Sequence, residues 1–289
     1  MPLLLPFIIA MVSTILLIPL LMRFAGRLQV LDEPGARKVH TAAVPRVGGI
    51  AMVTGALLPL CLWVDLDRQV LGYLIAGGMI FAFGVIDDRR DLSAAAKLLG
   101  QLLAVFVVVY VGGVKIESFT LTDRIALPEY LAVPATVFFL LGATNAINLS
   151  DGLDGLAGGT TLLACAAIAL LAYLHGNADV ETIAVVVCGS ILGFLRYNTY
   201  PARIFMGDAG SQFLGFSVAS LAIMLTQREQ VALSSALPLL LLGLPIVDTS
   251  MVMAQRLREG RSPFSADKKH IHHKLLALGF DHHEAVVII

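Results

Sequence analysis

The stretch Leu3–Met22, LLLPFIIAMVSTILLIPLLM, runs for 20 residues without a charged side chain. An α-helix needs about 20 largely apolar residues to cross roughly 30 Å of hydrocarbon, so this stretch reads as a membrane span. It lacks the basic leader and small-residue cleavage site of a secretory signal. Working outward, eight more charge-free windows follow: Val47–Val64, Gln69–Ile86, Leu98–Val114, Tyr130–Ser150, Gly155–Leu174, Thr182–Leu195, Ala209–Gln227 and Val231–Val247. Thr182–Leu195 is the shortest of them. After Asp281 the chain turns apolar again, from Ala285 to Ile289, as if a tenth helix began there. The expectation is an all-α, polytopic helical bundle of about nine spans plus the start of a tenth. It forms one transmembrane domain over residues 1–289, a chain that stops inside its last helix.

Composition agrees. Of 289 residues, 57% are hydrophobic and 14% charged, against about 45–50% and 25% in an average soluble domain. Mean hydropathy is +0.84, too high for two soluble domains. A net charge of −1 offers no basic excess to recruit nucleic acid. Cys61, Cys165 and Cys188 sit in apolar runs and read as small buried hydrophobes.

Loop charge gives an orientation. The loops after spans 1, 3, 5, 7 and 9 hold sixteen Lys and Arg and the alternate loops hold four. By the positive-inside rule the first set is cytoplasmic and the N-terminus is outside. The segment Lys115–Glu129, on the outer side, reads as a small hairpin.

The unusual polar clusters all fall on the inward loops. The first is Asp87-Asp88-Arg89-Arg90-Asp91 at the end of span 3, followed by Lys97. Adjacent carboxylates need nearby cations if they are to be buried ionised; a solvated helix end is the plain alternative. The second is Asn148-Leu149-Ser150-Asp151-Gly152-Leu153-Asp154-Gly155, whose two acids have no Lys or Arg in their own loop. Water or a divalent cation must balance them, although a helix cap would account for one. The third is Phe205-Met206-Gly207-Asp208-Ala209-Gly210-Ser211 before span 8. Magnesium is usually held by one or two carboxylates plus substrate phosphates, a demand that Asp208 and the Asp151/Asp154 pair can meet. The fourth holds Arg256, Arg258 and Arg261, then His270, His272, His273 and Lys274, a set better suited to phosphate than to zinc. The fifth is Arg37-Lys38-Val39-His40 with Arg46. His175, His282 and His283 read as surface residues.

These motifs, RKVHTAAVPRVGG, GVIDDRRDLSAAAKLLGQ, NAINLSDGLDGLAGG, FMGDAGS and RSPFSADKKHIHHKLLALGF, resemble the polyprenyl-phosphate N-acetylhexosamine-1-phosphate transferases over nearly the whole chain. Within that family, the HIHH form after SPFSADKK is similar to the bacterial undecaprenyl-phosphate GlcNAc-1-phosphate branch. The resemblance implies a Mg²⁺-dependent enzyme, with Mn²⁺ as a substitute. It would move a sugar 1-phosphate from a UDP-N-acetyl sugar to undecaprenyl phosphate at the cytoplasmic face of a bacterial inner membrane, and it admits a homodimer. GlcNAc is the favoured sugar, with MurNAc-pentapeptide and FucNAc types as alternatives. Carried over, Asp154 and Asp208 hold the metal. Asp87 and Lys97 meet the acceptor phosphate, and Asp88 and Asp151 shape the metal and nucleotide site. Asn148, Arg256, His270, His272 and His273 bind the donor, with Lys38 and Arg46 near the lipid phosphate.

A transporter is the rival of another class, but it needs ionisable groups near mid-membrane. Only Asp248, just past the ninth window, hints at one.

Overall fold

The computed structural model describes residues 3–32, 43–120, 124–227, 233–234, 236–262 and 269–289. The apolar windows form long helices: α1 (Leu4–Leu28), α2 (Gly48–Trp63), α3 (Arg68–Arg90), α4 (Ala94–Phe106), α5 (Glu129–Ser150), α6 (Leu156–Leu174), α7 (Ala178–Asn198) and α8 (Gly207–Thr226). A π-helical turn, Val107–Val111, extends α4. Among the described residues, seven helices are long and apolar enough to cross a membrane; α2, at 16 residues, is shorter. The weakest window became α7, a helix of 21 residues. Asn177 caps it, and its charged side chains sit only in the end turns, where they leave the apolar middle intact.

The ninth window does not form one helix. It breaks at Leu242 into α9 (Leu237–Leu241) and α10 (Gly243–Arg258), and α10 runs well beyond the apolar stretch. Gly243 and Pro245 weaken continuous hydrogen bonding across the junction. The polar end of α10 is accommodated because Asp248 and Arg256 are buried against partners. The C-terminal apolar run is helical too, as α12 (His282–Ile288). Its Ala285 packs on Leu153 and Leu156, and Asp281 and Glu284 cap its first turn reciprocally. Between α10 and α12 lies α11 (Ile271–Ala277).

The core is organised around α8, which is buried along its whole length and packs against α2, α3, α5 and α6. A helix that is apolar all round must be surrounded in this way. Without a hydrophobic drive inside lipid, helices pack by close approach at small residues. Gly49 meets Gly210 between α2 and α8, and Gly84 meets Ala209 between α3 and α8. α1 lies outside, against α2 and α7, with Leu4, Leu16 and Leu20 exposed.

The loops sort to two ends. At one, Arg68 donates to the carbonyls of Tyr110 and Val111, and Gln227 accepts from the backbone N–H of Glu117 and Ser118. The expected hairpin is there, with Ser118–Thr120 antiparallel to Arg124–Ala126. At the opposite end a second ribbon, Leu31–Asp32 with Val44–Pro45, lies among all the acidic motifs.

Candidate active site

Helix ends build this site. The Asp87 backbone carbonyl is taken up by Asp91, which turns the chain in the left-handed region, and the Asp87 Oδ1 accepts from Leu92 N at 2.8 Å. The acid is therefore fixed at the last turn of α3. One turn into α4, Lys97 points back across the gap. Its Nζ lies 2.6 Å from Asp87 Oδ2 and 3.1 Å from Asp208 Oδ2, so one ammonium bridges carboxylates from two motifs 121 positions apart in number.

Asp208 is oriented from three sides. Its backbone N–H and that of Ala209 donate to the two oxygens of Asp88, at 2.8 and 3.0 Å. The Asp88 carboxylate thus caps the N-terminus of α8, where unpaired N–H groups and the helix dipole favour an anion. Gly207, at φ +70°, makes this approach possible, because a Cβ there would sit 2.6 Å from Asp88 Oδ2. On its other side Asp208 Oδ1 lies 2.5 Å from Asn148 Nδ2, which is also 2.7 Å from Ser211 Oγ. Asp88 is consequently committed to backbone, and Asp208 is the acid it aims.

A second polar layer lies one helical turn deeper. Gln101, Asn145 and Gln212 come from α4, α5 and α8. Gln101 donates to Gln212 Oε1 at 3.0 Å, and Asn145 donates to Gln101 Oε1 at 2.7 Å. Each is three or four residues from Lys97, Asn148 or Asp208 on its own helix. Among apolar windows these single amides carried no chemical signal; their i, i+3 and i, i+4 spacing from the motif residues is what could have revealed them.

Asp151 stands at the mouth of α5. Burial pushes its carboxyl up to about 7, and the negative charges of Asp208, Asp88 and Asp154 add to the rise. Asp154 differs from expectation. Its Oδ2 accepts from Ala202 N at 2.8 Å, and its own N–H donates to His282 Nε2 at 2.8 Å. Asp154 thus ties two loops together, and Asp151 is the acid of this motif whose carboxyl is raised by the charge of Asp208. The reason is the turn Gly152–Gly155, which carries Asp154 away towards α12. His282, expected at the surface, is half-buried there and stacks on Tyr200 with ring centroids 4.6 Å apart.

The histidine cluster closes the same end. The His272 ring fills the space where a Cβ of Gly152 would be. Burial and the neighbouring His273 and His270 lower its pKa to about 4, so it is neutral near pH 7. His270 stacks on His272 at 5.8 Å and 7°, and His273 lies 4.2 Å beyond. Arg256 is buried on α10. Arg46 pairs with Asp32 and lies 3.9 Å from Asp91, so it joins the first loop to the end of α3. Lys38 lies outside the described residues.

No group of three or more His, Cys, Asp or Glu side chains that could hold a metal is found among the described residues. The donor set nonetheless suits a hard divalent ion that takes few protein ligands. Asp208, Asn148 and Ser211 place oxygen-bearing side chains around one point, and rotating the Asn148 amide would turn its Oδ1 to that point, since such flips are assigned from hydrogen bonding.

Comparison with known proteins fits this geometry. A model described as glycosyl transferase family 4 matches residues 70–226, more than half of the chain. The chain belongs to that family. It is 37% identical over 288 residues to the probable undecaprenyl-phosphate N-acetylglucosaminyl 1-phosphate transferase of Bacillus subtilis, covering 98% of this chain and 80% of the relative. Against the decaprenyl-phosphate N-acetylglucosaminephosphotransferase of Mycobacterium leprae, identity is 34%, over 92% and 74% of the two chains. Against the undecaprenyl-phosphate alpha-N-acetylglucosaminyl 1-phosphate transferase of Escherichia coli K12 it is 31%, again over 92% and 74%. The matched family segment spans α3 to α8 and so includes the Asp87, Lys97, Asn148 and Asp208 cluster; the histidine segment lies beyond it.

Proposed function

We propose that this protein transfers N-acetylglucosamine 1-phosphate from UDP-N-acetylglucosamine to undecaprenyl phosphate with release of UMP, the first lipid-linked step of a cell-surface polysaccharide. The reading is carried by one observation, the bridge that Lys97 makes between Asp87 and Asp208 beside Asn148. The printed names of the relatives point to the same substrates. The location is appropriate, because a nucleotide sugar arrives from water while the acceptor's chain stays in lipid. The Lys and Arg excess supports placing this end at the cytoplasmic face of a bacterial inner membrane.

Phosphoryl transfer asks a protein mainly for in-line positioning and charge neutralisation. The acceptor is a phosphate monoester with a second pKa near 6, so its oxygen is already largely dianionic at pH 7. That oxygen attacks the donor β-phosphorus, the bond from this phosphorus to the bridging oxygen breaks, and UMP leaves with the electron pair. Asp87 and Lys97 hold the acceptor phosphate in line, and Asp87 takes any residual proton. Arg256, His270, His272 and His273 face the donor phosphates. A Mg²⁺ ion, with Mn²⁺ as its substitute, would be held by Asp208 and Asn148 and would neutralise charge on the diphosphate.

Purified protein incubated with UDP-N-acetylglucosamine, undecaprenyl phosphate and Mg²⁺ tests this. The expected result is UMP release with formation of the diphosphate-linked lipid, lost with chelator and lost in a folded Asp208→Ala variant. Absence of UMP from active-site-intact protein across a panel of UDP-N-acetyl sugars would overturn it. Exchange of labelled UMP into donor without lipid would replace direct attack by a covalent route.

A further inference from the structure

Asp248 belongs to none of the acidic motifs, yet it is buried at 9% exposure in the middle of α10. Both of its oxygens are occupied by the segment that carries the histidines. Oδ2 lies 2.7 Å from His270 Nδ1, and Oδ1 accepts from Ile271 N at 2.9 Å. The contacts bridge 22 positions of sequence, so one carboxylate fixes the ring of His270 and the backbone at the start of α11 together.

We infer that Asp248 is a positioning residue for His270, holding its ring so that Nε2 is the nitrogen offered to the diphosphate of a nucleotide-sugar donor. This rests on the transferase reading above. The chemistry follows from what each group can do. A carboxylate only accepts, so the nitrogen beside it must carry the proton, and Nδ1–H is fixed. The other nitrogen then carries the lone pair in the neutral ring, or a second N–H in the cation. A carboxylate behind the ring also stabilises the cation when a phosphate oxygen delivers or attracts a proton.

His270 and His272 are thereby made unequal. His272 stacks on His270 and packs against Gly152 without a carboxylate partner of its own in hydrogen-bond reach among the described residues. The His270 ring, by contrast, has a carboxylate oxygen 2.7 Å from its Nδ1. An acid that looked like a hint of ion transport is thus accounted for by its bond to the histidine segment.

The test is a double-mutant cycle on the full-length protein, with kcat/KM per folded molecule as readout. Asp248→Asn keeps the volume but offers its NH₂ to one of the two donors, which disfavours the Nδ1–H tautomer. Removing a partner that orients a functional histidine typically costs about 10- to 100-fold, and that loss is expected for donor kcat/KM in the wild-type background. In a His270→Gln background the same substitution is expected to cost less than about 3-fold, because coupled sites are not additive. Equal losses in both backgrounds, or a lowered melting temperature with unchanged kcat/KM of the folded enzyme, would overturn the inference. Should Asp248→Asn fail to fold, ¹⁵N spectra of His270 in the wild-type protein at pH 8 decide it: protonated Nδ1 supports the assignment and protonated Nε2 refutes it. An inactive wild-type protein with Nδ1 protonated would sink the transferase reading and leave the geometry of the pair standing.

Discussion

The Asp88 carboxylate accepts the Asp208 backbone N–H at 2.8 Å, so the second acid of one motif serves as the helix cap of another. Two adjacent aspartates on α3 therefore have different jobs. Asp87 faces the Lys97 ammonium, and Asp88 faces the peptide groups that aim Asp208.

Asp88→Asn separates these jobs. An amide has one accepting oxygen, so one of the two N–H groups at the start of α8 loses its partner, at a cost of about 1–2 kcal/mol. Thermal unfolding in detergent should show a lower melting temperature, and kcat should fall. Because no metal ligand is removed, raising Mg²⁺ should not restore turnover; full recovery at high Mg²⁺ would make Asp88 a ligand instead.

Gly84 makes a related prediction without touching any polar group. A Cβ at this position would lie 2.5 Å from Ala209 Cα and 2.9 Å from the carbonyl carbon of Asp208. Gly84→Ala must push the start of α8 away from α3, and overpacking of this kind costs about 1–3 kcal/mol. Activity should fall with stability. Gly78→Ala on the same helix has nothing within 4 Å of the new methyl and should leave both unchanged, which makes it the matched control in the same assay.

The helices around α8 were legible because membrane spans need long charge-free windows, and the candidate cluster was legible because charge at span ends is costly enough to mark itself. Asp87, Lys97, Asn148 and Asp208 were singled out from that contrast, and the fold brings them together. What escaped were residues whose meaning depends on a distant partner. Asp154 was read as a metal ligand, whereas its hydrogen bond to the Ala202 N–H depends on a loop that the local sequence does not announce. His282 looked exposed because nothing local says that α12 folds back onto Leu153. The break at Leu242 needed knowledge of where the polar end of α10 would be satisfied. Gln101, Asn145 and Gln212 were single polar residues in apolar runs, a pattern hydropathy averages away.

Those three amides give a further prediction. Gln101→Leu removes the member bonded to both others, leaving the buried Gln212 Oε1 without its donor and Asn145 with its bond to the Leu141 carbonyl, a penalty of about 1–3 kcal/mol. Replacing Gln101, Asn145 and Gln212 together by Leu removes the stranded groups as well, so the triple variant should melt above the single one. Both should lose turnover if this chain of amides holds Lys97, Asn148 and Asp208 in register. A triple variant with wild-type kcat would show that the three amides contribute stability alone.

His272 supplies the pH dependence. Burial, followed by the nearby His273 and His270, lowers its pKa from 6.5 to about 4. A histidine whose folded pKa is depressed binds its proton more readily when unfolded, so the folded state suffers nothing above pH 6.5 and loses stability as pH falls from there towards 4. Between pH 7 and pH 5 the loss is about 2 kcal/mol as an upper estimate, from the linkage of one group shifted by this amount. Melting temperatures measured across that interval should drop for the wild-type protein and drop less for His272→Gln, whose neutral amide keeps a polar group against Gly152 without taking up a proton. Parallel declines in the two proteins would assign the acid sensitivity to another group.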